Sequence, residues 1–198
     1  HVDQYVCPGV PLDHYLSVFE HEWLPLIYQC WGYLVLHAGA VARASDSAVV
    51  VFAGVSGAGK STLSFGLGQR PGWQQIADDS LALAVEPAGV EAVPLANAVR
   101  LRPATVAYYG RQSGARQPLG WREGRLKPKA IYLPEASTDH PAQPEIIPVG
   151  PAQALNRLLE QAYVLDLESP ASKRTVASQS LDLMRHVPVF RLRYRKDF

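Results

Sequence analysis

The fold of this chain is decided by one stretch, residues 48–62, which reads AVVVFAGVSGAGKST. Its first five residues are continuously apolar, which is typical of a strand buried on both faces. Gly54, Gly59, Lys60 and Ser61 then match the pattern G-x-x-x-x-G-K-[ST]. Residues 60–69 predict a short helix that ends at a Pro-Gly pair. Strand, glycine-rich loop and helix therefore follow in the order that this motif requires.

The motif has a physical reason at each position. Small residues let backbone N–H groups curl around phosphate oxygens, and the helix N-terminus directs the positive end of its dipole to the same place. Lys60 adds a positive charge for the β- and γ-phosphates, and the Ser61 hydroxyl is a ligand for Mg²⁺. We therefore predict ATP and Mg²⁺ as cofactors, although a glycine turn that binds nothing is the alternative. The predicted nucleotide contacts are Gly54, Ser56, Gly57, Ala58, Gly59, Lys60, Ser61 and Thr62.

A pair of acidic residues follows the loop. Asp78 and Asp79 end a predicted strand, residues 73–77, that could lie beside the strand before the loop. Neighbouring side chains of an extended chain point in different directions, so one carboxylate can hold Mg²⁺ while the other accepts the proton of an attacking hydroxyl. The alternative is a polar strand end that caps a helix or turn.

The remaining patterns predict an α/β fold. We expect strands at residues 33–41, 81–85, 90–95, 130–133, 145–149 and 187–194, and helices at 24–31, 151–163 and 171–186. Residues 81–95 form a hairpin in this interpretation, and residues 110–129 form an exposed basic loop. We expect a single domain over residues 1–198, with residues 1–30 as a peripheral or truncated N-terminal part.

Composition narrows the class of partner and compartment. The net charge is +1, from 19 basic and 18 acidic residues, so no global field favours a nucleic acid or a membrane surface. The apolar stretches are shorter than the roughly 20 residues needed to cross a bilayer. Cys7 and Cys30 show neither a zinc-binding nor a disulfide pattern, which favours a cytoplasmic setting.

Three further features have two interpretations each. His37 lies in an apolar run, where a histidine is usually a core residue but can also contact phosphate. The basic loop at residues 110–129 is either a charged lid or a solvated loop. Arg100 and Arg102 are possible phosphate contacts, and we include Arg102 among the predicted nucleotide-binding residues.

Three segments carry a resemblance to a known family: His-Ala-Gly-Ala-Val at 37–41, Gly-Val-Ser-Gly-Ala-Gly-Lys-Ser at 54–61 and Ala-Asp-Asp at 77–79. The chain resembles the catalytic domain of the HPr kinase/phosphorylase family, and more closely the HPr-kinase-related kinases that occur with peptide-modifying enzymes. The resemblance implies a P-loop fold similar to phosphoenolpyruvate carboxykinase, with a mixed sheet and flanking helices. It implies that Asp78 is the catalytic base, that Asp79 assists at the metal with Ser61, and that His37 lies close to the transferred phosphate.

The implied activity is transfer of the γ-phosphate of ATP to a serine hydroxyl of a protein or peptide, with Lys60 as a catalytic residue. The chain departs from true HPr kinases at Thr62, where they carry an acid, and at residues 99–103, which lack their Arg-Gly-Leu-Gly sequence. The acceptor therefore stays open. A kinase for an amino acid or metabolite, and an ATP-binding regulatory module without turnover, are the alternatives, and a homo-oligomer is compatible with each.

Overall fold

A computed structural model of the protein describes residues 9–93, 109, 126–139 and 143–195. These residues form an α/β structure with a six-stranded mixed sheet, a three-stranded antiparallel sheet and flanking helices. The helices are α1 (Leu12–Val18), a π-helical turn (Phe19–Trp23), α2 (Leu24–Cys30), α3 (Lys60–Gly68), α4 (Pro151–Gln161) and α5 (Pro170–His186). The strands are β1 (Leu34–Leu36), β2 (Ala38–Arg43), β3 (Ala48–Ala53), β4 (Trp73–Ala77), β5 (Leu81–Glu86), β6 (Gly89–Val93), β7 (Lys127–Ser137), β8 (Glu145–Pro148) and β9 (Val189–Arg195).

The strand before the glycine-rich loop lies inside the mixed sheet, whose order is β4-β2-β3-β7-β9-β8. Strand β3 pairs antiparallel with β2 and parallel with β7. All of its residues except Val50 are buried, as expected for a strand covered on both faces. The predicted order of strand, loop and helix over residues 48–69 is confirmed.

The single strand predicted at residues 33–41 is wrong, because the chain changes sheets at His37. Strand β1 belongs to the three-stranded sheet and β2 to the mixed sheet. The segment that pairs with these two strands also changes sheets at this level, because residues 78–80 separate β4 from β5. Leu36 pairs with Leu81 and Ala40 with Ala77, so one antiparallel register continues through the change. Both flanks of His37 are buried, and hydrophobicity alone therefore could not reveal the break.

The position suggested for the strand at residues 73–77, directly beside the loop strand, is also wrong. Strand β4 pairs with β2 rather than with β3. Because β3 and β4 both run antiparallel to β2, they are parallel to each other and end at the same edge of the sheet. Asp78 and Asp79 therefore lie at the expected edge, one strand farther from the loop than the sequence suggested.

The other predicted elements are present with small shifts of their ends. The hairpin is β5–β6, and the helices predicted at 24–31, 151–163 and 171–186 are α2, α4 and α5. The predicted exposed loop is wrong at its end, where Leu126 is buried and Lys127 begins β7. Its residues 110–125 lie outside the described part of the chain. The sequence did not predict α1 and the π-helical turn, because aromatic and acidic residues alternate there without a clear period.

Helix α4 packs against α5 and the main core through a narrow face. Ala154, Leu158 and Gln161 are its buried residues, at the spacing of an amphipathic helix. Leu158 is completely buried, and it belongs to the main core cluster with Leu36 and Leu183.

Among the described helices, none is both long and apolar enough to cross a membrane.

Replacing Leu158 with alanine should destabilise the protein by about 2–5 kcal/mol, because the lost methyl groups leave a cavity in the core. Leu181 is the matched control, since it is 47% exposed on α5, and Leu181→Ala should cost less than about 1 kcal/mol. Urea unfolding followed by circular dichroism measures both. Equal losses in the two variants would contradict this packing of α4.

Candidate functional site

Predicted site residues from three separate segments meet at one edge of the mixed sheet. Gly54 follows β3, Asp79 follows β4, and His37 precedes β2. Because β2 runs antiparallel to β3 and β4, its beginning lies where those two strands end. The backbone N–H of Ala38 donates to the Asp79 carbonyl at 3.2 Å. Main-chain pairing alone therefore brings the loop, the histidine and the acidic pair together.

The shape of the glycine-rich loop requires glycine at two positions. Gly57 and Gly59 have φ angles of 87° and 95°, in the region that side chains rarely adopt. A Cβ atom on Gly59 would also lie 2.0 Å from the Tyr194 hydroxyl. That hydroxyl donates to the Ala58 carbonyl at 2.9 Å. Strand β9 therefore holds the loop from outside, a contact that no sequence motif predicted.

Lys60 is buried within the loop, with 6% of its surface exposed. Its ammonium group donates to the carbonyls of Gly54, at 2.7 Å, and Val55, at 3.2 Å. Helix α3 begins at the same residue, and the first N–H groups of a helix have no carbonyl partner within that helix. The loop thus combines a fixed positive charge with a helix N-terminus, which is the donor chemistry that a polyphosphate requires.

The residues also fit a phosphate-bound Mg²⁺ ion. Such an ion keeps several waters and takes one or two protein oxygens in addition to phosphate oxygens. In the described ranges, no group of three or more His, Cys, Asp or Glu side chains could hold a metal by itself. The Ser61 hydroxyl at the start of α3 and the carboxylates after β4 are the oxygen ligands that the site offers. An ion held here would therefore depend on a bound phosphate.

His37 and Asp79 form a pair at the sheet edge. The His37 Nδ1 atom lies 3.2 Å from the Asp79 Oδ1 atom, and the two side chains are 30% and 40% exposed. Burial lowers the pKa of His37, and the positive charge of Lys60 lowers it further, against the opposing effect of Asp79. The histidine is therefore a neutral imidazole near pH 7, beside an accessible carboxylate and within electrostatic reach of Lys60.

The two acidic residues have different surroundings. Asp78 is 2% exposed, whereas the side chain of Asp79 is 40% exposed. This difference agrees with the expectation that neighbouring side chains point in different directions. Asp79 is the carboxylate that a molecule entering the site can reach directly.

The end of α4 completes the site, although no motif marked it. The Gln161 carbonyl accepts a hydrogen bond from the His37 backbone N–H at 2.7 Å, and Tyr163 N donates to the Val35 carbonyl at 2.9 Å. Burial, with smaller effects from Asp79 and Glu22, raises the pKa of Tyr163 to about 12. The Gln29 side chain donates to the Tyr163 carbonyl, so the N-terminal helical segment takes part in the surroundings of the site.

A cavity of about 100 Å³ opens beside the first residues of the loop. Its walls come from the loop, from the end of β7 and from the last turn of α4. Its polar and charged lining residues are Glu135, Arg157, Glu160 and Gln161, beside Gly54 and Val55 of the loop.

The remaining predicted residues are placed as follows. Ser56 is exposed on the loop, the Ser61 carbonyl accepts from the Ser64 hydroxyl at 3.3 Å, and the Thr62 carbonyl accepts from the Tyr109 hydroxyl at 3.4 Å. Arg100 and Arg102 lie outside the described residues. Their predicted contacts with phosphate therefore stay predictions.

Replacing Gly59 with alanine should destabilise the loop through both backbone strain and the clash with the Tyr194 hydroxyl, by about 1–3 kcal/mol. Gly57→Ala is the matched control, because it has similar strain and no atom within 4 Å of the new Cβ. Thermal unfolding should show a larger loss for Gly59→Ala, with partial recovery when Tyr194→Phe is added. Equal losses would show that Tyr194 does not set the loop shape.

The lowered pKa of His37 should make stability depend on pH. An unfolded histidine titrates near about pH 6.5, and the folded residue titrates below that, so the unfolded state binds the proton first. The contribution of neutral His37 to the free energy of unfolding is therefore fully present above about pH 6.5, and it is lost as the pH falls towards the folded pKa. Urea titrations at about pH 7.5 and pH 5.5 should show a smaller loss in His37→Gln than in the wild type. The same loss in both proteins would show that His37 does not have a lowered pKa in the folded state.

Neither a scan against protein-family models nor a search of curated proteins finds a match for this chain.

Proposed function

We propose that this chain is an ATP- and Mg²⁺-dependent kinase that transfers the γ-phosphate to a serine hydroxyl of a protein or peptide. In this proposal its fold is a P-loop fold of the HPr kinase and phosphoenolpyruvate carboxykinase type. One observation carries it: the ammonium group of the buried Lys60 lies within a glycine-rich loop, at the sheet edge where His37 pairs with Asp79 at 3.2 Å. A phosphate-binding loop beside an accessible acid is the arrangement that transfer to a hydroxyl requires.

The loop would bind the triphosphate. Backbone N–H groups of residues 57–61 would donate to phosphate oxygens, and Lys60 would neutralise charge on the β- and γ-phosphates. Ser61 and a carboxylate after β4 would hold Mg²⁺, which supplies further positive charge to the phosphates. The hydrogen bonds from Tyr194 and Lys60 to loop carbonyls support this proposal, because they would hold the loop in one shape for such binding.

In the transfer step the serine oxygen attacks the γ-phosphorus atom in line with the bond to the β-phosphate oxygen. A new oxygen–phosphorus bond forms, the old one breaks to release ADP, and the hydroxyl proton passes to a carboxylate. The resemblance assigns that proton to Asp78 and the metal to Asp79. The exposures favour Asp79 as the proton acceptor, because Asp79 is accessible and pairs with His37 while Asp78 is 2% exposed.

His37 has a supporting role in this scheme. A neutral imidazole does not repel the Lys60 ammonium group, and its Nδ1 atom lies 3.2 Å from the Asp79 carboxylate, which it can orient. Its proximity to Lys60 agrees with the resemblance, which puts this histidine close to the transferred phosphate. We therefore treat His37 as a residue that orients Asp79 and contacts the phosphoryl group.

Two alternatives use the same loop. A kinase for a free amino acid or metabolite would share every residue named so far and would differ only in the acceptor. A regulatory module would bind ATP without turnover. The experiment below separates all three.

Lys60→Ala should reduce phosphoryl transfer from radiolabelled ATP by roughly 100- to 1,000-fold, because it removes a preorganised positive charge from the transition state. Asp79→Asn should reduce transfer more than Asp78→Asn if Asp79 is the base. Asp46→Asn is the control, since Asp46 pairs with Arg43 in an exposed turn and should leave transfer unchanged. Serine peptides and free amino acids are tested as separate acceptors, and thermal unfolding verifies that each variant is folded.

The outcomes are distinct. Transfer to peptides supports the proposal, and transfer only to small molecules supports the first alternative. Nucleotide binding by calorimetry without any transfer supports the regulatory module. Wild-type transfer rates in Lys60→Ala would remove the kinase assignment, and a larger loss in Asp78→Asn would restore the roles that the resemblance implies.

A further inference from the structure

The strand that ends in the acid pair is not a neighbour of the strand that ends in the loop. Strand β2 lies between β4 and β3, and β4 is at one edge of the mixed sheet in the described part of the chain. Helix α3 follows directly from the loop and packs against both β2 and β4. The spacing between the loop and the acid pair therefore depends on the contact between α3 and β4 as well as on strand pairing.

Strand β4 has a β-bulge just before the acid pair. Ala40 pairs with Ala77, whereas the next residue of β2, Val41, pairs with Gln75. Strand β4 therefore has one extra residue, Ile76, at this point. A bulge bends its strand and re-aims the side chains that follow, and bulges are frequent beside active sites. The directions of the two carboxylates after β4 therefore depend on the shape of this bulge.

A chain of hydrogen bonds joins α3 to the bulge. Gln75 Nε2 donates to the Ser64 hydroxyl at 2.9 Å, and it lies 3.5 Å from the Ala77 carbonyl on the other side of the bulge. The Ser64 hydroxyl donates in turn to the Ser61 carbonyl at 3.3 Å. The chain therefore runs from Ser61, the proposed magnesium ligand, to the residue that precedes Asp78.

The two side chains that form this link are buried between α3 and the sheet. Ser64 is 0% exposed and Gln75 is 7% exposed. A Cβ atom on Gly39 of β2 would lie 2.8 Å from the Ser64 hydroxyl oxygen and 3.4 Å from the Asp78 carbonyl oxygen. Helix and strands are therefore in close contact here, directly beneath the backbone of the acid pair.

Hydrogen bonds of this kind contribute direction more than stability. Replacing both partners with apolar groups of the same shape is nearly neutral for stability, whereas removing one partner leaves a buried polar group unsatisfied. The hydrophobic effect is non-directional, but a buried amide is satisfied in few positions, so a polar network specifies one arrangement. The link between Gln75 and Ser64 therefore favours one position of β4 against α3.

We propose that Ser64 and Gln75 are positioning residues for the transfer reaction. They fix the bulged end of β4 against α3, and they thereby set the spacing between Ser61 and the two carboxylates. This inference rests on the proposed function, because Ser61 and a carboxylate act together only when they hold Mg²⁺ on a bound nucleotide. Such spacing matters, because a displacement of about 1 Å can reduce a rate by about 100-fold.

The test uses the double variant Ser64→Ala/Gln75→Met, which replaces both partners with apolar side chains of similar shape. Gln75→Met alone breaks the link and keeps the bond from Ser64 to Ser61, so it serves if the double variant does not fold. Ser180→Ala is the matched control. Ser180 is also fully buried in a helix, α5, where its hydroxyl donates to the Val176 carbonyl at 2.8 Å.

Three measurements are made on each protein. Thermal unfolding measures the melting temperature. Calorimetry measures the affinity for a non-hydrolysable ATP analogue with Mg²⁺ and with a chelator, and the ratio of the two affinities is the gain that Mg²⁺ provides. Steady-state assays measure kcat and the KM for the acceptor.

The double variant should melt within about 4 °C of the wild type, and Ser64→Ala alone should melt lower, because the buried Gln75 amide loses its acceptor. The affinity in the chelator should be unchanged, since the loop keeps its contacts. The gain from Mg²⁺ should fall by roughly 10-fold, and kcat should fall by roughly 10- to 100-fold with a smaller change in KM. Ser180→Ala should change the melting temperature alone.

The possible failures are distinguishable. A double variant with the wild-type kcat and the wild-type gain from Mg²⁺ would show that the network is only structural, so the inference would be wrong while the proposed function stands. An equal loss of affinity with and without Mg²⁺ would move the effect to the loop and would also overturn the inference. If the wild type binds no nucleotide, or Lys60→Ala is indistinguishable from it, the proposed function and this inference are both wrong.

Discussion

Backbone pairing between two segments, residues 34–43 and 73–86, is the constraint on which the candidate site depends. From Leu34 to Ala40 and from Ala77 to Leu83 they keep one antiparallel register while they pass together from the three-stranded sheet into the mixed sheet, and the register shifts only beyond Ala40. At the change, the Ala38 N–H still donates to the Asp79 carbonyl. Because the sheets diverge at this point, His37 and Asp79 are only half-buried although both flanks are in the core. Backbone hydrogen bonding thus fixes two polar side chains beside the loop.

The loop itself is fixed from three directions. Tyr194 of β9 holds the Ala58 carbonyl, Lys60 spans the carbonyls of Gly54 and Val55, and α3 continues directly from the last glycine. A site that is ordered before binding loses less conformational entropy when the ligand arrives. Gly57 and Gly59 keep φ angles of 87° and 95° within this fixed loop, so neither can be replaced without strain. Stability and the proposed chemistry therefore depend on the same few contacts.

Part of this arrangement could be predicted from the sequence. Strand, loop and helix at residues 48–69 were predictable because the motif combines a continuous apolar run with glycines and a lysine at fixed spacing. The change of sheet at His37 was not predictable, since the residues on both sides are equally apolar. The position of β4 beside β2 depends on pairing that local pattern does not encode.

The contacts that α4 and β9 make with the site could not be predicted from local sequence patterns either. Gln161 and Tyr163 meet β1 and β2 across more than 120 positions of the chain, through backbone bonds that any residue type could make. Arg157 and Glu160 look like an ordinary surface pair until the fold puts them beside the loop. Tyr194 is one residue of an alternating strand, and only the close approach of Gly59 shows its role.

The most direct test of the central claim is a crystal structure of the protein with Mg²⁺ and a non-hydrolysable ATP analogue. Phosphate oxygens should lie within hydrogen-bonding distance of the N–H groups of residues 57–61 and of the Lys60 ammonium group, with the terminal phosphate on the side of His37 and Asp79. An analogue bound elsewhere on the protein, or a loop without phosphate at saturating concentrations, would contradict it.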